Sequence, residues 1–145
     1  MTRVVLDTNI LVSAGISAGG DCDQIVQAAL RGEIRIVVSP GILDEYLDVL
    51  HRSKFTQYGF PPAWVQHLLS QAERLPTDPV ELPEAPDPED RIFLGVAQKV
   101  GLLVTGNLKH FPEEIRGTAR VLSPRAFLHQ PEIGHIIRNS IWHGH

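Results

Sequence analysis

Four acidic residues and one amide stand at positions suited to chemistry: Asp7 behind the apolar run VVL, Glu45 in ILDEYLDVL, Asp87 and Asp90 in DPEDRIF, and Asn107 in VTGN. Carboxylates gathered in one cleft repel one another and are costly to bury unpaired, so such a set calls for a compensating cation. Oxygen donors without paired His or Cys suit a hard ion, Mg²⁺ or Mn²⁺, better than zinc. An ion of that kind activates water and stabilises charge on a phosphoryl centre. Hydrolysis of a phosphodiester then needs no protein nucleophile.

These residues meet only if the elements that carry them put them on one rim. Short apolar runs alternate with segments of helical periodicity, which predicts an α/β fold with a mostly parallel central sheet covered on both faces. Residues 3–6 and 34–38 read as buried strands. The first helix is expected from Asp21, with Gly32 as its stop, and the second from Ser39, an N-cap followed by Pro40. A third is expected over Pro62–Leu75. Five prolines between Pro76 and Pro88 predict a loop, with a short strand around Val80–Leu82. A fourth helix opens at Asp87 as N-cap and closes at Gly101; LLVT from Leu102 is a strand, and ARVLSPRAFL gives a last strand and a capped helix.

In such sheets ligands sit outside the carboxyl ends of the strands. Asp7, Ser39 and Thr105 with Asn107 all fall at such ends. Glu45 lies in the second turn after Ser39, roughly 8 to 9 Å along the helix, and its side chain leans back toward the helix start. Asp87 and Asp90, three apart, share a side at the start of the fourth helix. Asp7, Glu45, Asp87, Asp90 and Asn107 can therefore converge.

Four stretches, VVLDTNILVSA, VSPGILDEYLDVL, DPEDRIFLGVA and LVTGNLKHF, resemble the ordered motifs of the PIN domain family, over residues 3 to about 128. The resemblance is closest to stand-alone VapC-like proteins, the toxin components of toxin-antitoxin modules. It implies a three-layer α/β/α sandwich and an Mg²⁺- or Mn²⁺-dependent ribonuclease with Asp7, Glu45 and Asp90 as the catalytic acids. Asp87 and Asn107 join the implied metal ligands, although Asn107 stands where many PIN nucleases carry a fourth acid. Thr8 and Asn9 are expected to orient Asp7 or line the site. Ser39 is expected to cap its helix and to contact metal-bound water, and Lys109 and His110 to contact RNA phosphates. RNA, an antitoxin protein and a second copy of the chain are the implied partners.

The rest of the sequence sets bounds. The chain of 145 residues fits one domain, expected over 1–130, with residues 131–145 as a tail holding His135, His143 and His145. A net charge of −4 argues against a globally basic nucleic-acid surface and leaves room for a local patch. No apolar run is long enough to span a bilayer, no export signal is visible, and the single Cys22 permits no intrachain disulfide, so a reducing, cytoplasmic setting is expected. Two other readings compete. A phosphatase would use Asp7 as a phosphoryl acceptor, but the third position of its DxD pattern is Asn9 here. A catalytically inactive PIN-fold interaction module would keep the fold and lose the chemistry, with Asn107 as the first sign.

Overall fold

A computed structural model of the chain describes residues 1–134; the part of the expected tail that holds His135, His143 and His145 lies outside the described residues. Strand β1 (Thr2–Leu6) leads directly into helix α1 (Thr8–Ile16), followed by α2 (Asp21–Leu30), β2 (Ile34–Val38), α3 (Pro40–Leu50), α4 (Ser53–Thr56), α5 (Trp64–Gln71) and β3 (Glu73–Arg74). After the proline-rich loop come α6 (Arg91–Val100), β4 (Leu102–Val104), β5 (Arg120–Leu122) and α7 (Pro124–Leu128).

Among the described residues the sheet has five strands in the order β3-β2-β1-β4-β5, and every pairing is parallel. The chain builds outward from β1 through β2 to β3, then returns to the other side of β1 for β4 and β5. The reversal falls between β1 and β4, where connections leave in opposite directions, the place at which such sheets bind ligands beyond their carboxyl ends. Helices cover both faces in three α/β/α layers: α2 contacts α1, α5 and α7, while α6 packs on β1 and β4 and touches α3. The residues of β1 show why. Val4, Val5 and Leu6 are fully buried, as expected of a strand sandwiched on both faces.

Local chemistry sets the helix ends. Ser39 Oγ accepts from the Ile42 N–H at 3.3 Å and Ser123 Oγ from the Ala126 N–H at 3.1 Å, each with proline in the first turn. Gly101, at φ 110°, ends α6 in the left-handed conformation that glycine adopts without strain.

Four expectations are corrected. Thr8–Ile16 is a helix that periodicity did not mark, because Ile10, Leu11 and Ala14 bury it among other elements. The third helix covers only Trp64–Gln71; the chain then turns extended so that Glu73 and Arg74 can pair with Val37 and Val38. No strand forms at 80–82, where Val80 is fully exposed and nothing pairs with it in the sheet. The fourth helix starts where expected, with Asp87 as N-cap and Pro88 in its first turn, but that turn is 3₁₀ over Pro88–Asp90 before α6 proper. Residues 131–134 are helical, and Ile133 is buried in the core. No helix among the described residues is long and apolar enough to cross a membrane.

Candidate metal centre

Asp7 occupies the joint between β1 and α1, at the point where the sheet reverses. Its backbone N–H donates to the Val104 carbonyl at 3.0 Å, which ties the ends of β1 and β4 together. Its carboxylate faces the same seam: Oδ2 accepts from Thr105 Oγ1 at 2.7 Å and from Asn9 Nδ2 at a longer 3.4 Å. Asn9 uses its other end to accept the Gly106 N–H at 3.1 Å, and Thr105 Oγ1 in turn accepts the Asn107 N–H at 3.0 Å. Burial pushes the Asp7 carboxyl above the usual range; the Thr105 hydroxyl, the nearby amides of Thr8 and Asn9 and the His110 ring oppose that rise.

Asp90 closes the 3₁₀ turn that opens α6 and is 8% exposed. Proline at 88 and the Asp87 carboxylate, which accepts the Glu89 N–H at 3.0 Å, set that turn. Burial raises the Asp90 carboxyl to about 6, with the Asp7 charge the next largest contribution; His110 pulls it down and Asp87 pushes it up. His110 stands in the turn after β4. Its Nδ1 lies 2.8 Å from Asp90 Oδ2, and its Nε2 lies 2.9 Å from Asn107 Nδ2. The Nδ1 approach is at ion-pair distance yet off the line of a hydrogen bond, so Oδ2 takes no directed donor. Asp90 Oδ2 and the Thr8 hydroxyl oxygen are the buried side-chain polar atoms without a hydrogen-bond partner among the described residues.

Donor atoms of Asp87, Asp90 and His110 all lie within 4.8 Å of one another. That spacing suits ligands of one cation, and an orphaned, buried carboxylate oxygen facing it is the kind of atom a cation satisfies. The residues present therefore fit a divalent ion.

Glu45 reaches the rim from α3. Burial raises its carboxyl, and the charges of Glu89, Asp48 and Asp7 raise it further, while Arg52 lowers it. Asp7 and Glu45 stand outside the tight Asp87, Asp90 and His110 group, yet the Asp7 charge acts on both Asp90 and Glu45. The residue after Glu45 fixes its helix. Tyr46 is fully buried, donates from its hydroxyl to the Leu6 carbonyl at 2.6 Å, and packs its ring 6.0 Å from that of Phe93 on α6. The proline-rich loop braces α3 and α6 together. Asp78 accepts the Gly41 N–H at 2.9 Å, and Arg91 donates to the carbonyls of Pro83 and Leu82 at 2.9 and 3.2 Å. Gly95 lets α6 approach this loop, since a Cβ there would stand 2.9 Å from Leu82 and 3.3 Å from Pro83.

The expected site residues thus separate by environment. Thr8 is buried beside Asp7, Asn9 bridges the two strand ends, and Ser39 is buried with its hydroxyl engaged as a cap. Lys109 is exposed on the turn after β4. His110 turns toward Asp90 and Asn107. Thr105, Glu89 and Tyr46 carry roles that sequence reasoning had not assigned. A Thr at the end of a strand facing the Asp at the end of its neighbour is the available signal for the first; helical spacing puts Tyr46 on the inner face of its helix without indicating its hydrogen bond, and nothing in the sequence marks Glu89.

A family model described as the PIN domain matches residues 3–109, which takes in β1 through the start of the turn after β4. That span contains Asp7, Glu45, Asp87, Asp90 and Asn107. Among curated proteins no significant match is found. With its strand order, its acids at the switch point and three quarters of its length matched, the chain belongs to the PIN domain family.

Proposed function

We propose that this protein is a metal-dependent ribonuclease that hydrolyses RNA phosphodiester bonds. One observation carries the reading: Asp7 and Asp90, on neighbouring parts of the switch-point rim, are both buried, burial raises both carboxyls, the Asp7 charge raises Asp90 further, and Asp90 keeps an oxygen without a hydrogen-bond partner. Such an arrangement is unfavourable for a metal-free protein and suits one that holds Mg²⁺ or Mn²⁺.

Asp7, Glu45, Asp90 and Asp87 are the residues that would hold the ion, and Asp7, Glu45 and Asp90 are the catalytic acids. A divalent ion there supplies charge neutralisation at the phosphoryl group and lowers the pKa of water. Thr105 and Asn9 fix the Asp7 carboxylate, and Tyr46 fixes the helix that carries Glu45. Lys109 contributes positive charge for the phosphates of the substrate. In the hydrolysis a water oxygen bonds to phosphorus, the bond from phosphorus to one ribose oxygen breaks, and that oxygen leaves protonated.

Cleavage of single-stranded or structured RNA should require Mg²⁺ or Mn²⁺ and stop in Asp7→Asn and Asp90→Asn variants that remain folded. Cleavage that survives both substitutions and EDTA would sink the assignment. Hydrolysis of small phosphomonoesters in place of RNA would favour the phosphatase reading. A folded wild-type protein with no nuclease activity under any divalent ion would favour the interaction module. The toxin role, with an antitoxin protein and a second copy as partners, follows from the likeness to VapC-like proteins. Growth arrest on induction, relieved by Asp7→Asn, tests it.

A further inference from the structure

We infer that His110 is a nitrogen ligand of the metal centre, held in place by Asn107, so that the centre selects Mn²⁺ and later transition ions over Mg²⁺. The inference rests on the metal-dependent reading of the site and changes its donor set from all oxygen to mixed oxygen and nitrogen.

Distances come first. Ligands about 2.1 Å from an octahedral ion stand roughly 3 Å apart when adjacent and somewhat over 4 Å apart when opposite. His110 Nδ1 and Asp90 Oδ2 are 2.8 Å apart, and the full group with Asp87 fits within 4.8 Å. The contact is off the hydrogen-bond direction and leaves the buried Oδ2 without a donor. The His110 ring lowers the Asp90 carboxyl from this position, and without a directed hydrogen bond between them the two atoms also stand as adjacent ligands of one ion would.

The ring nitrogens supply the next step. Ligation through Nδ1 needs a lone pair there and puts the ring proton on Nε2. Nε2 faces the Asn107 amide at 2.9 Å, with the amide nitrogen toward it. That orientation serves the tautomer with a proton on Nδ1, the metal-free arrangement. Turning the amide about its last bond presents Oδ1 as the acceptor for Nε2–H, the kind of partner that orients a metal-bound imidazole. An amide can face either tautomer in this way, whereas a carboxylate can only accept. The neutral residue at the place of a fourth acid is thereby explained: it is a positioning residue for His110. Imidazole favours the transition ions, and Mg²⁺ favours carboxylate and water, which sets the direction of selectivity.

The test loads the full-length protein with Mn²⁺ and measures electron spin echo modulation from ¹⁴N, alongside Mn²⁺ and Mg²⁺ affinities by calorimetry. Bound Mn²⁺ should show nitrogen coupling that disappears in His110→Ala, with the preference for Mn²⁺ over Mg²⁺ falling roughly tenfold or more. His110→Gln repeats the measurement if the alanine variant does not fold. Mn²⁺ that binds without nitrogen coupling, or with coupling and preference unchanged in the variants, overturns the inference and leaves the acid-based nuclease reading intact. Mn²⁺ that does not bind at all overturns both.

Discussion

The Thr105 hydroxyl and the Asp7 carboxylate, 98 positions apart in sequence, meet at 2.7 Å and join the ends of β4 and β1 where the sheet reverses. The hydroxyl is the strongest of the groups that hold the Asp7 carboxyl down against its burial. Thr105→Val keeps the shape and removes the donor. We expect it to destabilise the protein by about 1–3 kcal/mol near neutral pH, the cost of a buried charged acceptor left short of a partner. Denaturant melts measure this. Loss of stability that is no larger at about pH 7 than at about pH 3 would show that the hydroxyl does not serve the ionised carboxylate.

Asp90 gives a pH dependence with a definite sign. Its folded-state carboxyl is raised from 3.8 to about 6, so the folded state holds the proton more tightly than the unfolded chain. The stability this confers is fully present below about 4 and is lost as pH rises through about 6. In the metal-free protein Asp90→Asn should therefore raise the melting temperature by roughly 2–6 °C at about pH 7.5, and the gain should fade as pH drops toward 4. A variant less stable than wild type at about pH 7.5 would contradict the electrostatic account of the site.

Mn²⁺ should raise the melting temperature of the wild-type protein, because it binds the folded acid cluster and relieves its repulsion. At about 100 times its dissociation constant the gain is about 2.7 kcal/mol. Asp7→Asn and Asp90→Asn should reduce that gain, whereas Arg31→Ala, whose side chain pairs with Glu33 on the exposed turn after α2, should retain it. Thermal melts with and without the ion decide the point; an unchanged wild-type curve would argue against a preformed site.

Tyr46 links the packing of α3 to the end of β1. Tyr46→Phe removes one buried hydrogen bond to the Leu6 carbonyl and should cost about 0.5–1.5 kcal/mol, while Tyr46→Ala also opens a cavity beside Phe93 and should cost about 3–5 kcal/mol. Because Glu45 is its neighbour, the phenylalanine variant should also lower RNA cleavage under saturating metal. Unaltered cleavage in that variant would mean that Glu45 is positioned without this anchor.

Much of this arrangement was readable from residue order. The strand Ile34–Val38 is apolar apart from the exposed Arg35 and lies between Gly32 and Ser39-Pro40, and strand-end acids follow from the rule that parallel sheets present their carboxyl ends to ligands. Helix α1 was not readable, since a short helix buried on several sides loses its polar stripe and looks like an extension of the strand before it. The two residues of β3 carry no strand signal of their own; pairing with β2 defines them, with Arg3 of β1 donating to Glu73 at 3.0 Å as a side-chain brace. The contact of His110 with Asp90 leaves no mark in the sequence, because the two are distant along the chain and come near only when α6 and the turn after β4 pack together. Order along the chain reported which groups exist, and tertiary packing decided which of them touch.

The start of α3 has a consequence for how a nucleic acid would lie on this protein. A helix N-terminus ordinarily draws phosphate through its free amides and dipole. Here Ser39 covers the Ile42 amide and the Asp78 carboxylate covers that of Gly41, so the attraction is cancelled from within by a fixed negative charge. A polyanion crossing the strand ends meets repulsion over β2 and finds Lys109 beyond β4. For the proposed ribonuclease the consequence is directional: the backbone of an RNA substrate would be drawn to the β4 flank of Asp7, where Lys109 is exposed.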